Sequence, residues 1–437
     1  MRRIHIIGIK GAATSALAEL FAKRGFEISG SDVKDSFPTD KILRRLKIKV
    51  KSFSAQNISD DLDFVVYSGA YPENNLERKK AAELRIPQIS YGEALALFFN
   101  QKQGIAVSGC HGKTTTSALL AHLLKKAGLK PSAVVGGMVK NWESNSLSGD
   151  SEFFVVEADE YQKKFLSLKP QYIVITNIDY DHPDTFKDKN DYIRGFRDFA
   201  KNLKKGGKIV VHQSEIRKLG GNLKSSIIYP QTQDEKILRQ SKFSLLGEHN
   251  RQNALLAVRL ARFLKIKPVA IKAGLADFKG VKRRIDFWTN PKSDFVIIDD
   301  YAHHPKEIKA TLKTLRENFG NYHIVAVFQS HTYSRTKLFF KEFAKSFGKA
   351  DEIILLPIYS SAREKARMKK DRSLDLKFFK EFIKYNRKVV FSANYKKAEK
   401  EVLRIKKLKS HLLVATIGAG QVWQIAEKLT IGGLTSE

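Results

Sequence analysis

The sequence predicts an α/β protein built from three successive domains, and three observations lead to this fold class. Short apolar runs alternate with amphipathic segments along the whole chain, which is the pattern of βαβ units. The chain has 437 residues, which is too long for a single hydrophobic core. Glycine-containing and polar clusters follow many of the apolar runs, at the edge where open α/β sheets bind their ligands.

The composition narrows the class of protein. The sequence has no run of eighteen apolar residues and no secretory signal pattern, so we expect no membrane insertion and a cytoplasmic location. Its single cysteine, Cys110, excludes an internal disulfide framework and a cysteine-based zinc site. The net charge of +32 favours acidic ligands. It fits either nonspecific binding to nucleic acid or an anionic membrane, or a solvated lysine-rich surface, and we expect no specific nucleic-acid partner.

Residues 1–100 are predicted to form the first domain, with a Rossmann-like sheet. An apolar strand ends at Gly8, a helix runs from residue 15 to 24, and a second strand over 26–29 leads to Asp32. The first turn of such a sheet often holds a diphosphate, and a carboxylate after the second strand often binds ribose. Gly8, Gly11 and Asp32 fit that pattern, but Lys10 and Ala13 occupy glycine positions, so a purely structural turn is an equal alternative.

Residues 101–290 are predicted to form a P-loop ATPase-like central domain around the stretch 105–121. A buried strand, Ile105–Val107, turns tightly into a helix that runs to about Lys126. Backbone N–H groups at the start of that helix suit a phosphate, Lys113 suits the β- and γ-phosphates of ATP, and the Thr114 hydroxyl suits Mg²⁺. The loop is shorter than a full Walker A, and the alternative is an ordinary glycine turn with a solvated lysine.

Two further strands of this domain deliver acidic and imidazole groups. Glu157 follows the apolar run 153–156, and His182 lies in the polar segment after the run 172–176. Oxygen ligands beside a phosphate cradle suit Mg²⁺, so Glu157 and His182 are the stronger metal candidates. The weaker ones are Asp159, Asp179, Asp181 and Asp184, and the alternative for all of them is a polar loop that caps a helix.

A helix predicted over residues 254–264 follows the segment Gly247–Asn253. Asn250 and Asn253 lie one turn apart on one face, where they suit hydrogen bonds to an adenine edge, although Asn250 is equally suited to cap the helix. The basic run Lys282–Arg284 suits either an anion contact or a solvated patch.

Residues 291–437 are predicted to form a C-terminal Rossmann-like domain with five strands. Polar clusters follow two of them, Asp299–Pro305 and Gln329–Arg335, and Gly418–Gly420 precedes a closing helix. The charged segment 361–372 is predicted to be mobile.

Together these pieces resemble the Mur ligases, the ATP-dependent amide-forming enzymes of peptidoglycan precursor synthesis. The stretch Gly109–Thr116 resembles the family's Gly-Thr-x-Gly-Lys-Thr-Thr cradle. Further motifs follow in the family's order: Glu157–Glu160, Asn177–His182, His249–Asn253, Lys282–Arg284 and Asp299–Pro305. Three segments resemble the branch that adds L-alanine to UDP-N-acetylmuramate: Phe328–Thr336, Ala362–Lys365 and Ile417–Gly420. The pair Glu160-Tyr161 and the segment Gly247–Asn250 resemble the branch that attaches a recycled tripeptide instead.

The resemblance implies an ATP- and Mg²⁺-dependent ligase that forms an acyl phosphate, and it implies roles for individual residues. The ATP-binding set would be Gly109, Cys110, His111, Gly112, Lys113, Thr114, Thr115, Asn250, Asn253, Arg284 and Asp300. Lys113, Glu157, His182 and Arg335 would be catalytic, with Thr114, Glu157 and His182 as metal ligands. Gly8, Lys10, Gly11 and Asp32 would bind the UDP-sugar, and His331, Tyr333 and Arg335 the amino acid.

Other functions remain open from the sequence alone. They are a folate or cyanophycin ligase, a basic ATPase that binds nucleic acid, and a nucleotide-binding protein without turnover. A separate N-terminal domain argues against the folate branch. We expect a monomer or a weak homodimer.

Overall fold

A computed structural model describes residues 2–182, 185–220, 226–360 and 372–434. Its strands form three sheets of five, seven and six strands. The chain separates into two compact units, one of residues 1–245 and 250–281 and one of residues 246–249 and 282–437. The first unit contains the first two sheets and the second unit contains the third.

The first sheet is parallel, with the strand order β3-β2-β1-β4-β5. Its central strand buries Ile4, Ile6 and Ile7 completely or nearly so, as expected where helices cover both faces of a parallel sheet. The elements are β1 (Arg3–Ile7), α1 (Ala12–Ala22), β2 (Glu27–Ser31), α2 (Asp40–Arg45), β3 (Val50–Lys51), β4 (Phe64–Tyr67), α3 (Leu76–Glu83), β5 (Gln88–Ser90) and α4 (Tyr91–Phe99).

The second sheet has the order β12-β11-β10-β6-β9-β7-β8, parallel except for the β7–β8 hairpin. Strand β6 lies between β10 and β9, so the segments after these three strands meet at one edge. The elements are β6 (Gln103–Ser108), α5 (Lys113–Lys126), β7 (Ser132–Val139), β8 (Ser144–Leu147), β9 (Phe153–Glu157), β10 (Tyr172–Ile175), α6 (Lys189–Lys201), β11 (Lys208–Val211), α7 (Ile216–Leu219), β12 (Ile227–Ile228), α8 (Thr232–Arg239), α9 (Glu248–Phe263) and α10 (Pro268–Asp277).

The third sheet has the order β13-β14-β18-β15-β16-β17, with only the β13–β14 pair antiparallel among its described pairings. Separate apolar clusters cover its two faces. The elements are β13 (Asp286–Phe287), β14 (Phe295–Asp300), α11 (Pro305–Asn318), β15 (His323–Phe328), α12 (Tyr333–Leu338), α13 (Phe340–Ala344), β16 (Glu352–Leu355), α14 (Arg372–Tyr385), β17 (Val389–Phe391), α15 (Tyr395–Lys406), β18 (Leu412–Ile417) and α16 (Trp423–Leu434).

Two helices begin earlier than the sequence predicts. Helix α1 begins at Ala12 rather than at residue 15, because alanines at 12 and 13 favour helix directly after Gly11. Helix α9 begins at Glu248 rather than at residue 254, after Gly247 with its φ of 94°. The polar first turn of α9 carries no apolar periodicity, which is why the pattern missed it. Strand β2 lies one to two residues later than predicted.

No helix in the described residues combines the length and apolar character needed to cross a membrane. Most of the segment 361–372, including the motif 362–365, lies outside the described residues, as do residues 183 and 184.

Candidate functional site

The predicted phosphate cradle is a tight turn between β6 and α5. Gly109 has a φ of 130° and Gly112 one of 81°, in the region that glycine tolerates. A Cβ at Gly109 would lie 2.9 Å from the Asn177 carbonyl oxygen, and one at Gly112 would lie 2.7 Å from Asn253 Nδ2. Both positions therefore require glycine for conformation and for space.

The segment after β10 braces this turn. Asn177 Oδ1 accepts from the His111 backbone N–H at 3.1 Å, while Asn177 Nδ2 and Thr176 Oγ1 donate to the His111 carbonyl at 2.9 and 2.6 Å. The His111 ring contacts Cys110 Sγ at 3.3 Å and lies 3.8 Å from Asp179 Oδ2. These bonds hold the loop backbone in place without any ligand.

Lys113 folds back onto its own loop and onto a buried carboxylate. Its Nζ donates to the Gly109 carbonyl at 2.5 Å and to Glu160 Oε1 at 3.0 Å, and it lies 3.0 Å from Glu160 Oε2. Burial lowers the pKa of Lys113, but attraction by Glu160, Asp159 and Glu157 outweighs it and raises that pKa above the usual value. The lysine is therefore charged and already held by an anion.

Glu157 and Thr114 flank a glycine pair of β7. Glu157 Oε2 accepts from the Gly136 N–H at 2.8 Å, and a Cβ at Gly136 would lie 2.5 Å from the same oxygen. A Cβ at Gly137 would lie 3.3 Å from the Thr114 methyl group. Glu157 Oε1 makes no hydrogen bond within the described part of the chain, so it is a suitable oxygen ligand for Mg²⁺.

His182 lies on the other side of Glu160. Its Nε2 is 3.7 Å from Glu160 Oε1 and 3.8 Å from Asp181 Oδ2, and its ring packs against Tyr161. His182 has a φ of 57°, a strained conformation for a residue other than glycine. Across the described residues, no three His, Cys, Asp or Glu side chains form a preformed metal site. The set fits a cation whose shell is completed by phosphates and water rather than an all-protein cage.

The two predicted adenine-binding asparagines lie on α9. Both are nearly buried, at 6% and 8% exposure for Asn250 and Asn253. Because α9 begins at Glu248, Asn250 lies inside the first turn and the capping alternative is wrong. Asn253 packs against Gly112, which places it at the cradle, and its contact with adenine stays a prediction.

The turn of the first domain is held by its own residues. Asp32 accepts from the N–H groups of Lys10 and Val33 at 2.7 and 2.8 Å and from the Tyr71 hydroxyl at 2.9 Å. Gly8, with a φ of 81°, leaves no room for a Cβ beside the Tyr71 ring. Asp32 thus shapes the turn between Gly8 and Gly11, and its bond to a ribose stays a prediction.

In the second unit, Asp300 ends β14 and lies buried. It accepts from the N–H groups of Ile285 and Ala302 at 2.8 and 2.7 Å. Burial raises the pKa of Asp300 to about 6, against the attraction of Arg284. The Arg284 guanidinium lies 5.1 Å from the centre of the Tyr301 ring. Contacts of Arg284 and Asp300 with ATP stay predictions.

The three predicted amino-acid-binding residues follow β15. The His331 ring stacks on Tyr359 with centroids 5.5 Å apart, Tyr333 is buried, and Arg335 lies two residues further along α12. Thr332 between them has a φ of 69°, which is costly for a β-branched residue and is typical of functional loops. The structure therefore places these residues at one edge of the sheet, and their contact with an amino acid stays a prediction.

Models of three Mur ligase domains match the chain in order. The Mur ligase family catalytic domain matches residues 3–103, the Mur ligase middle domain 107–236 and the Mur ligase glutamate ligase domain 283–420. The UDP-N-acetylmuramate–L-alanine ligase of Desulfitobacterium hafniense is 39% identical over 385 residues, covering 83% of this chain and 85% of that protein. The chain belongs to the Mur ligase family.

Other relatives extend the likeness over the whole length. The UDP-N-acetylmuramate–L-alanine ligase of a Sulfurihydrogenibium species is 35% identical, covering 98% of this chain and 97% of its own. The solved structure of UDP-N-acetylmuramate-alanine ligase MurC from Thermotoga maritima matches all of both chains with a TM-score of 0.83 at 24% identity. The murein peptide ligase of Psychrobacter arcticus matches with 0.73 at 20% identity, covering 100% of this chain and 99% of that one. These structures confirm the predicted fold of three α/β domains in a Mur ligase.

Sequence reasoning missed three parts of this Mur ligase site. Glu160 entered only as a point of likeness, although its position three residues after Glu157 was a usable signal. The pair Gly136-Gly137 in an apolar run signals close backbone approach, which the structure shows. Tyr91, the first residue of α4, faces the same cluster: burial and the charges of Glu157 and Asp159 raise its pKa.

Proposed function

We propose that this Mur ligase joins L-alanine to the carboxylate of UDP-N-acetylmuramate and converts ATP to ADP and phosphate. Relatives at 39 and 35% identity, which cover 83 and 98% of this chain, carry that activity in their names. One observation supports the proposal most directly. Lys113 is charged and bonded to the loop after β6, and the strands on either side of β6 lead to Glu157 and His182.

The proposed reaction runs in two steps, phosphoryl transfer to the carboxylate and then attack by the amine. A carboxylate oxygen of the muramate attacks the γ-phosphorus of ATP, the bond to the β-phosphate oxygen breaks, and ADP leaves. The amine of L-alanine then attacks the carbonyl carbon of the acyl phosphate, inorganic phosphate leaves, and the amine proton passes to solvent. The first step is needed because an amine cannot displace an oxygen of the free carboxylate, whereas it can displace phosphate from the acyl phosphate.

The cradle residues supply positioning and charge for the first step. Backbone N–H groups at the start of α5 hold phosphate oxygens, and Lys113 moves from the Gly109 carbonyl to the β- and γ-phosphates. Thr114 and Glu157 would hold one Mg²⁺ and His182 a second, and such ions neutralise charge on the transferred phosphoryl group. The contacts of the His182 ring with Tyr161 and Glu160 orient its imidazole.

The remaining substrate contacts are proposed on the same basis. Asn250 and Asn253 would hold adenine, with Arg284 and Asp300 at ribose and phosphate. The turn of Gly8, Lys10, Gly11 and Asp32 would hold the UDP-sugar. Arg335, with His331 and Tyr333, would pair with the alanine carboxylate, a bidentate task that suits arginine. A cytoplasmic location fits soluble nucleotide substrates.

The test is phosphate release with ATP, Mg²⁺ and UDP-N-acetylmuramate while the acceptor is varied among L-alanine, L-serine, glycine and the tripeptide. We expect the highest kcat/KM with L-alanine, and a fall in kcat of at least about 10²-fold for Lys113→Ala. Stimulation by the tripeptide alone would assign the other branch of the family. Turnover stimulated by nucleic acid without muramate would overturn the proposal.

A further inference from the structure

One margin of the third sheet exposes an unusual share of large apolar side chains. Fourteen such side chains are exposed in the described residues, and six of them fall between residues 374 and 409. They are Leu376, Ile383, Tyr385, Val390, Leu403 and Leu408, with exposures of 55, 53, 45, 40, 41 and 66%. We call the exposed side chains of α14, β17, α15 and the residues up to Lys409 the margin surface.

Part of this surface lies at the outermost strand, β17. Leu376, Phe379 and Ile383 recur at helical spacing on one face of α14, and the Phe379 ring packs on Phe391 of β17 with centroids 5.6 Å apart. Val390 points to the opposite face of the strand from Phe391. That opposite face is the one that α15 covers, through Ala398, Val402 and Ile405. The apolar positions of α14 and β17 therefore border both faces of this sheet edge.

The margin surface is also strongly cationic. Residues 374–409 contain twelve Lys or Arg and four Asp or Glu, a net charge of +8 out of the +32 of the whole chain. Three of these cations have carboxylate partners: Lys384 with Glu381, Arg404 with Glu401, and Lys388 with Glu352. A fourth, Lys406, lies over the Phe295 ring, 4.5 Å from its centroid. The remaining eight have no ion pair in the described part of the chain: Lys377, Lys380, Arg387, Lys396, Lys397, Lys400, Lys407 and Lys409.

We propose that the margin surface binds the face of an anionic phospholipid bilayer. Exposed Leu and Ile beside solvated lysines are the chemistry of interfacial binding, in which aliphatic groups enter the headgroup boundary and cations meet lipid phosphates. The positive charge of the margin surface is complementary to the negative charge of such a bilayer, which favours the bilayer over other binding partners. A second copy of the chain would bring two +8 surfaces together, and lysines around an outer strand oppose strand pairing between copies. A single-stranded nucleic acid would bind by stacking its bases on aromatic side chains, and exposed aliphatic side chains do not provide that contact.

The experiment is co-sedimentation of the full chain with vesicles. We expect binding to phosphatidylcholine vesicles that contain 40% phosphatidylglycerol, release at high salt, and no binding to pure phosphatidylcholine. The variant Leu376→Ser/Lys380→Glu should bind at least tenfold more weakly and keep its phosphate-release activity in solution. The matched control is Leu76→Ser/Lys79→Glu on α3, which changes one exposed leucine and one exposed lysine at similar spacing and should bind as the native chain does.

Three results would overturn this proposal without touching the ligase activity. Equal loss of binding in both variants would mean that the overall charge, not the margin surface, attracts vesicles. Absence of binding to phosphatidylglycerol vesicles would show that the margin surface does not bind an anionic bilayer. Sedimentation equilibrium that shows a dimer, dissociated by the α14 variant, would assign the surface to a second copy.

Discussion

At the scale of single residues, the carboxylate of Glu160 lies between Lys113 and His182, two of the residues that we propose to be catalytic. It is fully buried, and it contacts Lys113 at 3.0 Å, the Tyr192 hydroxyl at 3.2 Å and His182 Nε2 at 3.7 Å. A buried lysine with no anion would be unstable, so Glu160 supplies the countercharge while no phosphate is present. Nucleotide phosphates would then replace Glu160 as the partner of Lys113.

Glu160→Gln tests this exchange. The substitution keeps the shape but removes the charge, so we expect the free energy of unfolding of the ligand-free protein to fall by about 3–5 kcal/mol. Nucleotide should then raise the melting temperature by more than it does in the native chain, because its phosphates restore the missing charge. Thermal melts with and without MgATP analogue measure both effects.

The control is Glu401→Gln, which removes the partner of Arg404 on the surface of α15 and should leave the free energy of unfolding almost unchanged. A Glu160→Gln protein that gains no more from nucleotide than the native chain would contradict the countercharge role. Tyr192→Phe removes a neutral hydrogen bond to Glu160 but leaves its charge in place, so it should lower stability without enlarging the gain from nucleotide.

At the scale of elements, the β7–β8 hairpin contacts both the turn of the first domain and the phosphate residues. Asn145 Nδ2 donates to the Ala12 carbonyl at 2.5 Å, directly after Gly11, and Glu19 of α1 accepts from Ser144 and Ser146. In strand β7 of the same hairpin, the Gly136 N–H donates to Glu157 Oε2, and Gly137 lies against the Thr114 methyl group. A shift at one end therefore changes contacts at the other.

We expect this hairpin to couple the two nucleotide sites. We expect an ATP analogue to raise the affinity for UDP-N-acetylmuramate. Asn145→Ala removes the bond to Ala12, so that increase should shrink by about fivefold, the equivalent of ~1 kcal/mol for one hydrogen bond. Calorimetric titration with and without the analogue measures it. Asn141→Ala, in the turn of the same hairpin and bound to Asp277, is the control and should leave the coupling intact. Equal coupling in all three proteins would refute the link.

The sequence predicted the strand, turn and helix of residues 105–126 but not the β7–β8 hairpin, for physical reasons. Parallel strands bring their carboxyl ends together, so Lys113, Glu157 and His182 followed from local patterns alone. Strand β8, Ser144–Leu147, is mostly polar and has no strand periodicity, because it faces α1 through hydrogen bonds. The Glu19–Ser144 bond joins residues 125 apart, and no local pattern reports such a pairing. The early start of α9 was missed for a similar reason, since its first turn is polar.

At the scale of the whole molecule, three sheets fall into two compact units, and the predicted boundaries at residues 100 and 290 stay predictions. The first two sheets share a unit because the buried network of Glu19, Ser144 and Asn145 connects them. Each unit has its own apolar cores. A core that is complete within one unit gives that unit its own unfolding cooperativity.

We expect two calorimetric unfolding transitions, assigned by a matched pair of core variants. Phe165, stacked on Phe199, lies in the first unit, and Phe328, packed among Phe343, Phe347 and Phe382, lies in the second. Truncating either to alanine removes about 3–5 kcal/mol, which lowers one transition by roughly 6–20 °C and leaves the other in place. If both variants lowered a single shared transition by the same amount, the two units would unfold as one. Addition of MgATP analogue should raise the transition that Phe165→Ala lowers, because Lys113 and the cradle belong to that unit.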